Sequence, residues 1–84
     1  MKEQPYREDR EQMQELLKQF DNLRQGRSHS FLEEESFERV INYFEEKEDY
    51  RNALEAAELA IEQYPYSGSL LIRKADVLLA NRRY

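Results

Sequence analysis

The sequence predicts an all-α protein, and three observations carry that prediction. Apolar side chains recur at intervals of three and four residues in four successive segments, which is the period of helices with one buried face. The 84 residues include only 2 glycines and 2 prolines, and these stand between or at the ends of the segments. Hydrophobic residues make up 39% and charged residues 37% of the chain, a balance typical of a small folded domain rather than a disordered tail.

Helix one is predicted to begin near Pro5, because proline suits the first turn of a helix, and to end before Gly26. Its apolar stripe consists of Met13, Leu16, Leu17, Phe20 and Leu23. Residues 1–30 are interpreted as a flanking or capping helix with the loop that follows it.

Helix two is predicted to begin just after Ser30, because Ser30 and Glu33 have the spacing of a capping box. One tight apolar stripe is expected to face the core, and it consists of Phe37, Val40, Ile41 and Phe44. The other faces are acidic and carry Glu33, Glu34, Glu35, Glu38, Glu45 and Glu46.

Helix three is predicted over about residues 50–64 and contains four alanines. Helix propensity alone does not explain why they gather on one side, because glutamate and lysine also form helices well. Small side chains additionally permit close approach of a neighbouring helix. The inward-facing residues are predicted to be Ala53, Leu54, Ala57, Ala60, Ile61 and Tyr64. Pro65 ends the helix, since proline lacks an amide hydrogen and disfavours helical backbone at the residue before it.

Helix four is predicted over about residues 69–82, with Ser67 and Gly68 at its start. Its apolar residues surround most of the cylinder, so neighbours are expected on more than one side, of which this chain can supply only about two. These residues are Leu70, Leu71, Ile72, Ala75, Val77, Leu78 and Leu79.

Residues 34–67 combine a helix, a tight turn, a second helix and a proline. Aromatic residues, a valine, alanines and a proline stand at seven positions of this unit: Phe37, Val40, Phe44, Tyr50, Ala53, Ala60 and Pro65. The pattern resembles one tetratricopeptide (TPR) repeat of about 34 residues. The resemblance implies a right-handed α-solenoid fragment, with a TPR-like repeat over residues 31–67 and the first helix of a truncated second repeat over residues 68–84. In such a fold the alanines let the second helix pack against the first and against the next repeat.

The pattern can be aligned with the chain again about 34 residues later. This alignment matches Leu71 with Phe37, Lys74 with Val40, Ala75 with Ile41, Leu78 with Phe44 and Tyr84 with Tyr50. The chain is therefore expected to be a piece of a longer array. It departs from the family pattern at Ile41, Glu48 and Ala57. Glu48 stands where the family prefers glycine, so the turn is predicted not to require a positive φ angle.

The resemblance implies a non-catalytic scaffold for protein–protein interactions, in which the first helix of each repeat lines a groove that takes a peptide. The groove residues that it implies are Glu35, Glu38, Arg39, Asn42, Glu45, Glu46, Ile72, Arg73, Asp76 and Leu79. Two alternatives stay open. The chain could be an element for self-association, forming a homodimer through exposed apolar faces of its terminal helices. It could also be a regulatory arm of a larger protein.

The charge distribution limits the kinds of partner that the chain is expected to bind. Residues 34–65 carry 10 acidic and 3 basic side chains, a surface that repels phosphate backbones and disfavours nucleic acid as a partner. In the chaperone-binding members of the family, a lysine at the position of Glu38 grips a C-terminal carboxylate. The glutamate argues against that ligand, so a basic or neutral peptide or protein is predicted.

Several other classes find no support in the sequence. No apolar run approaches the roughly 20 residues of a membrane span, and the N-terminus shows no secretory signal, so a cytoplasmic protein is expected. The chain has no cysteine and one histidine, His29, which is interpreted as a loop residue. No nucleotide-binding, hydrolase or metalloprotease motif occurs, so neither enzyme activity nor a cofactor or metal is predicted.

Overall fold

The structure, a computed structural model, describes the backbone of residues 5–26 and 31–82, with side chains from residue 10 onward. Helices alone form the regular structure of these residues, which confirms the all-α prediction. They are α1 (Pro5–Arg24), α2 (Glu34–Glu46), α3 (Tyr50–Gln63) and α4 (Gly68–Asn81). None of these helices combines the length and the apolar character that a membrane crossing requires. The chain divides into two compact units, Met1–Ser30 and Phe31–Tyr84.

The first unit contains α1, which ends as its sequence predicts. Gly26 adopts a φ of 74°, a left-handed conformation that glycine accepts readily at a helix C-terminus. The Asp21 carboxylate accepts hydrogen bonds from the side chains of Arg24 and Gln25. The Arg24 guanidinium lies over the Phe20 ring, 5.8 Å from its centroid. These local contacts stabilise the last turn of α1.

In the second unit, α2 begins later than the capping-box pattern predicts. Its N-cap is Glu33, which makes no side-chain cap hydrogen bond, and Ser30 lies outside the described residues. Leu32 is held in a non-helical segment by α3, because its amide donates to Gln63 Oε1 at 3.2 Å and its carbonyl accepts from the Tyr64 hydroxyl at 2.7 Å. The predicted start after Ser30 is therefore wrong, since contacts distant in sequence hold the segment before Glu34 outside the helix.

The turn between α2 and α3 contains a left-handed residue. Glu48 has a φ of 58°, so the prediction that this turn needs no positive φ is wrong. The Asp49 amide donates to the Phe44 carbonyl at 2.8 Å, and the Glu48 amide donates to the Glu45 carbonyl at 2.9 Å. Together these two bonds form a Schellman motif, which requires the left-handed conformation at the position of Glu48. A glutamate thus adopts the left-handed conformation that glycine accepts at a lower steric cost.

The central helix α3 packs against both α2 and α4. All four of its alanines are fully buried: Ala53, Ala57 and Ala60, as predicted, and also Ala56, which is not among the residues predicted to face inward. On α2, Phe37, Val40 and Ile41 are fully buried as well, and Phe44 is half-buried. The Phe37 ring meets the Tyr64 ring edge to face at 6.2 Å between centroids. Methyl-sized side chains on α3 therefore meet bulky side chains on its neighbours, which allows the helices to lie close together.

Helix α4 starts at the predicted serine. The Ser67 side chain accepts from the Leu70 amide at 3.2 Å and caps the first turn. Only Leu70 and Val77 are fully buried on α4. Its remaining large apolar side chains are exposed: Leu71, Ile72, Leu78 and Leu79.

Candidate partner-binding surface

Three polar contacts join α2 to α4. The Ser67 hydroxyl donates to the Glu34 carboxylate, and the Ser69 hydroxyl donates to Glu38 Oε2 at 2.7 Å. The Arg73 guanidinium pairs with Glu45 Oε1 at 3.1 Å. Because the contacts follow the same order along both helices, α2 and α4 run side by side in the same direction. We call these three contacts the polar ladder.

The polar ladder changes the role of three residues that the sequence assigns to the groove. Glu38, Glu45 and Arg73 are partly buried, and each is bonded to the neighbouring helix. Their intramolecular bonds fix the orientation of both carboxylates. Local sequence patterns do not reveal this role, because the partners lie 28 and 31 residues apart.

An exposed polar row runs along α2 beside the ladder. Glu35, Arg39, Asn42 and Glu46 follow one another at intervals of three and four residues, and all four are exposed. The Asn42 amide group donates to Glu46 Oε2 at 3.3 Å. This row faces away from the side of α2 on which Phe37 and Ile41 are buried.

An exposed apolar row lies on α4 at the other side of the ladder. Ile72 and Leu79 are seven residues apart on one face of the helix and are 63% and 60% exposed. Asp76, also exposed, stands between them along the same side. Leu70 and Val77 are buried on the opposite side, which is directed toward the core.

The ten predicted groove residues therefore share one surface, which we call the α2–α4 surface. It consists of the α2 row, the ladder residues Glu38, Glu45 and Arg73, and the α4 row. Five of the ten are acidic and two are basic, so the surface carries a formal charge of 5 − 2, or three negative charges. Two large apolar side chains thus lie exposed in acidic surroundings.

A second exposed face of α4 adjoins this surface. Leu71, Ala75 and Leu78 are exposed and lie at intervals of three and four residues, which places them on one side of the helix. We call it the α4 outer face. On the flank of α4 toward α3, Lys74 Nζ lies 3.9 Å from Glu58 Oε2.

The seven repeat-signature residues differ in their environments. Phe37, Val40, Ala53 and Ala60 are buried, whereas Phe44 and Tyr50 are half-buried. Pro65 is exposed and follows the C-cap residue of α3. Among the residues that the 34-residue step aligns with this pattern, Leu71 and Leu78 are 49% and 40% exposed, and Tyr84 lies outside the described residues. The repeat step thus matches positions on α2 and α4 whose burial differs.

An open cleft of about 310 Å³ lies at the end of the unit where α2 turns into α3. It is lined by Glu48, Asp49, Tyr50, Arg51 and Asn81. No sequence motif pointed to it, because the lining residues come from a turn and from the far end of α4. In the part of the chain with described side chains, no three acidic or histidine residues form a group that could hold a metal ion. His29 lies outside that part.

No family model, curated protein or solved structure matches the chain significantly. The TPR resemblance therefore rests on the residues quoted for it.

Proposed function

We propose that the chain is a non-catalytic protein-interaction module, built from one TPR-like repeat and the first helix of a second. The α2–α4 surface is its binding surface. Three features support the TPR-like assignment: the α2–α3 hairpin, the left-handed Glu48 at the glycine position of the family, and the parallel course of α2 and α4.

One observation carries the binding role. Ile72 and Leu79 expose most of their side chains beside a polar surface that intramolecular bonds already hold in place. Large apolar side chains exposed among polar residues are found at sites that another protein covers. Because the Glu38 and Glu45 carboxylates are already oriented, their side chains lose less conformational entropy when a partner binds than mobile side chains would.

A selection from a random peptide library on the immobilised 84-residue chain tests this function. Peptides that bind the unmodified chain are measured again with an Ile72→Ser/Leu79→Ser double variant by fluorescence anisotropy. We expect an affinity loss of at least about tenfold, which corresponds to about 1.4 kcal/mol. Circular dichroism checks that the helix content is unchanged, as expected for substitutions of exposed residues.

A matched control lies on the same helix. The Leu71→Ser/Leu78→Ser double variant makes the same kind of change on the α4 outer face, where the two leucines are 49% and 40% exposed. We expect it to change peptide affinity by less than about twofold, because those side chains lie outside the proposed surface. Equal losses in the two double variants, or no loss in either, would contradict the assignment of the α2–α4 surface.

Self-association is the second candidate function, and the α4 outer face favours it. Ala75 lies between Leu71 and Leu78, so two antiparallel copies of α4 could approach closely at the alanines and pack each Leu71 near a Leu78 of the other copy. Together these two leucines expose about one whole side chain per copy, which is small against the roughly 1,200 Å² buried in stable complexes. A weak dimer is therefore expected from this face alone.

Light scattering over a range of protein concentrations separates the two functions. Self-association through the outer face predicts a mass that rises with concentration and returns to about 10.2 kDa in the Leu71→Ser/Leu78→Ser variant. A mass of one chain at every concentration would remove this candidate.

A further inference from the structure

We propose that the partner of the α2–α4 surface is a basic amphipathic segment, with apolar side chains that cover Ile72 and Leu79 and with lysines or arginines beside them. This inference rests on the proposed function and specifies the chemistry of the partner.

The position of Asp76 sets the first requirement. It lies between Ile72 and Leu79 along α4, so a segment that covers both apolar side chains also covers or borders its carboxylate. Burying a carboxylate without a partner is costly, whereas pairing it with a cation offsets that cost. The segment therefore needs a positive group or a strong hydrogen-bond donor at this point.

The ladder supplies further negative charge on the adjoining side. Ser69 bonds to one carboxylate oxygen of Glu38, and Arg73 bonds to one carboxylate oxygen of Glu45. These bonds fix the positions of the two carboxylates. An ionised carboxylate has about four lone-pair sites for hydrogen bonds, so these groups can also accept from an incoming lysine or arginine. Positive side chains flanking the apolar stripe of the partner would meet acceptors that are already oriented.

The polar row of α2 extends the same electrostatic pattern. Glu35 and Glu46 lie at opposite ends of the row, about 16 Å apart at 1.5 Å per helical residue. Arg39 is the one basic residue of the row, and the Asn42 side chain already donates to Glu46. The surface as a whole carries three negative charges, so it attracts a basic segment and repels an acidic one.

The spacing on α4 defines the apolar stripe of the partner. Ile72 and Leu79 are about 10 Å apart along the helix axis. Apolar residues seven positions apart on a partner helix span the same distance, with residues three or four positions along facing Asp76. An amphipathic helix with this spacing and flanking lysines matches both the apolar and the charged positions.

Three synthetic helical peptides of about 15 residues serve as probes. They share one apolar stripe and carry lysine, glutamine or glutamate at the flanking positions. A fourth peptide has the lysine composition in scrambled order, without the stripe. Affinities for the 84-residue chain are measured by fluorescence anisotropy.

We expect the lysine peptide to bind at least about tenfold more tightly than the glutamate peptide, with the glutamine peptide between them. The advantage of lysine over glutamine should shrink several-fold between about 50 mM and about 300 mM salt, since exposed charges are screened. Asp76→Asn should weaken the lysine peptide several-fold and leave the glutamine peptide nearly unchanged. Glu62→Gln is the control, because it removes an equal charge from an exposed residue of α3.

The outcomes separate this inference from the proposed function. Equal binding of the lysine and glutamine peptides, both weakened by Ile72→Ser/Leu79→Ser, would overturn the basic partner and keep the binding surface. Equal binding of the lysine peptide and its scrambled form would show unspecific attraction and overturn the inference. Equal effects of Asp76→Asn and Glu62→Gln would also overturn it. Binding of none of the peptides would overturn both proposals.

Discussion

Helices α2 and α4 lie side by side and both pack against α3, yet their apolar faces meet different surroundings. Phe37 is fully buried, whereas Leu71, at the position that the sequence predicts to correspond to it, is about half exposed. Both helices pack against α3, but α2 buries its stripe and α4 buries only Leu70 and Val77. The comparison shows that burial depends on the helices available to pack against, and that apolar character alone does not predict it.

The largest expected difference between the two helices concerns their corresponding apolar residues. Phe37→Ala should lower the free energy of unfolding by about 3–5 kcal/mol, because it leaves a cavity in a packed core. Leu71→Ala should change it by less than about 1 kcal/mol, since about half of that side chain is already in water. Urea unfolding followed by circular dichroism measures both. Similar losses would mean that α4 buries this face as α2 does.

The alanines offer a second contrast, between α3 and α4. Ala53→Leu or Ala60→Leu should lower the free energy of unfolding by about 1–3 kcal/mol, because added methyl groups overpack a closely approached contact. Ala75→Leu should have an effect within about 0.5 kcal/mol, since Ala75 is exposed. Thermal and urea unfolding give the comparison. If the Ala53→Leu and Ala60→Leu variants unfold at the same temperature and urea concentration as the unmodified chain, the small residues do not lie at a helix contact.

The two helices also differ at their N-caps. Ser67→Ala should cost about 0.5–2 kcal/mol, because it removes the cap of α4 and the bond to Glu34 together. The N-cap of α2 has no such bond, so Glu33→Ser should instead stabilise by a few tenths to about 1 kcal/mol. The test compares the denaturant concentrations at the unfolding midpoints of variants whose unfolding free energy depends equally on denaturant concentration. A loss of stability in the Glu33→Ser variant would contradict the cap assignment of Glu33.

The smallest expected effect lies in the turn that joins α2 to α3. Glu48→Gly should raise the free energy of unfolding by about 0.5–1 kcal/mol, because a left-handed conformation costs a residue with a side chain about 1–2 kcal/mol and glycine regains part of this. Glu48→Ala is the control and should leave stability nearly unchanged, since alanine also carries a Cβ atom. Equal stability of the glycine and alanine variants would show that the turn is not strained.

Patterns local to one segment predicted much of this fold. The apolar periodicity predicted the four helices, and the clustering of alanines predicted the buried side of α3. Ser67 indicated where α4 begins, and its side chain caps that helix. Each of these follows from residues within a few positions of one another. Such features are specified by local propensity and by the contrast between apolar and polar faces.

What the sequence did not reveal depends on distant contacts or on competing energies. Gln63 and Tyr64 hold Leu32 outside α2, and the bonds of the polar ladder span about thirty residues. At Glu48, the hydrogen bonds that close the turn outweigh the steric cost of a positive φ, so the identity of the residue did not disclose its conformation. For the candidate surface, the TPR resemblance implied ten residues, but the sequence did not show the bonds that three of them make.

The Ser67 hydroxyl links the start of α4 to the start of α2. It accepts a hydrogen bond from the first turn of α4 and also donates one to the beginning of α2. One atom therefore takes part both in the N-cap of α4 and in the alignment of α4 with α2. A slip of α4 by a single residue would break both bonds at once, so the cap of one helix also helps to fix the register between the two.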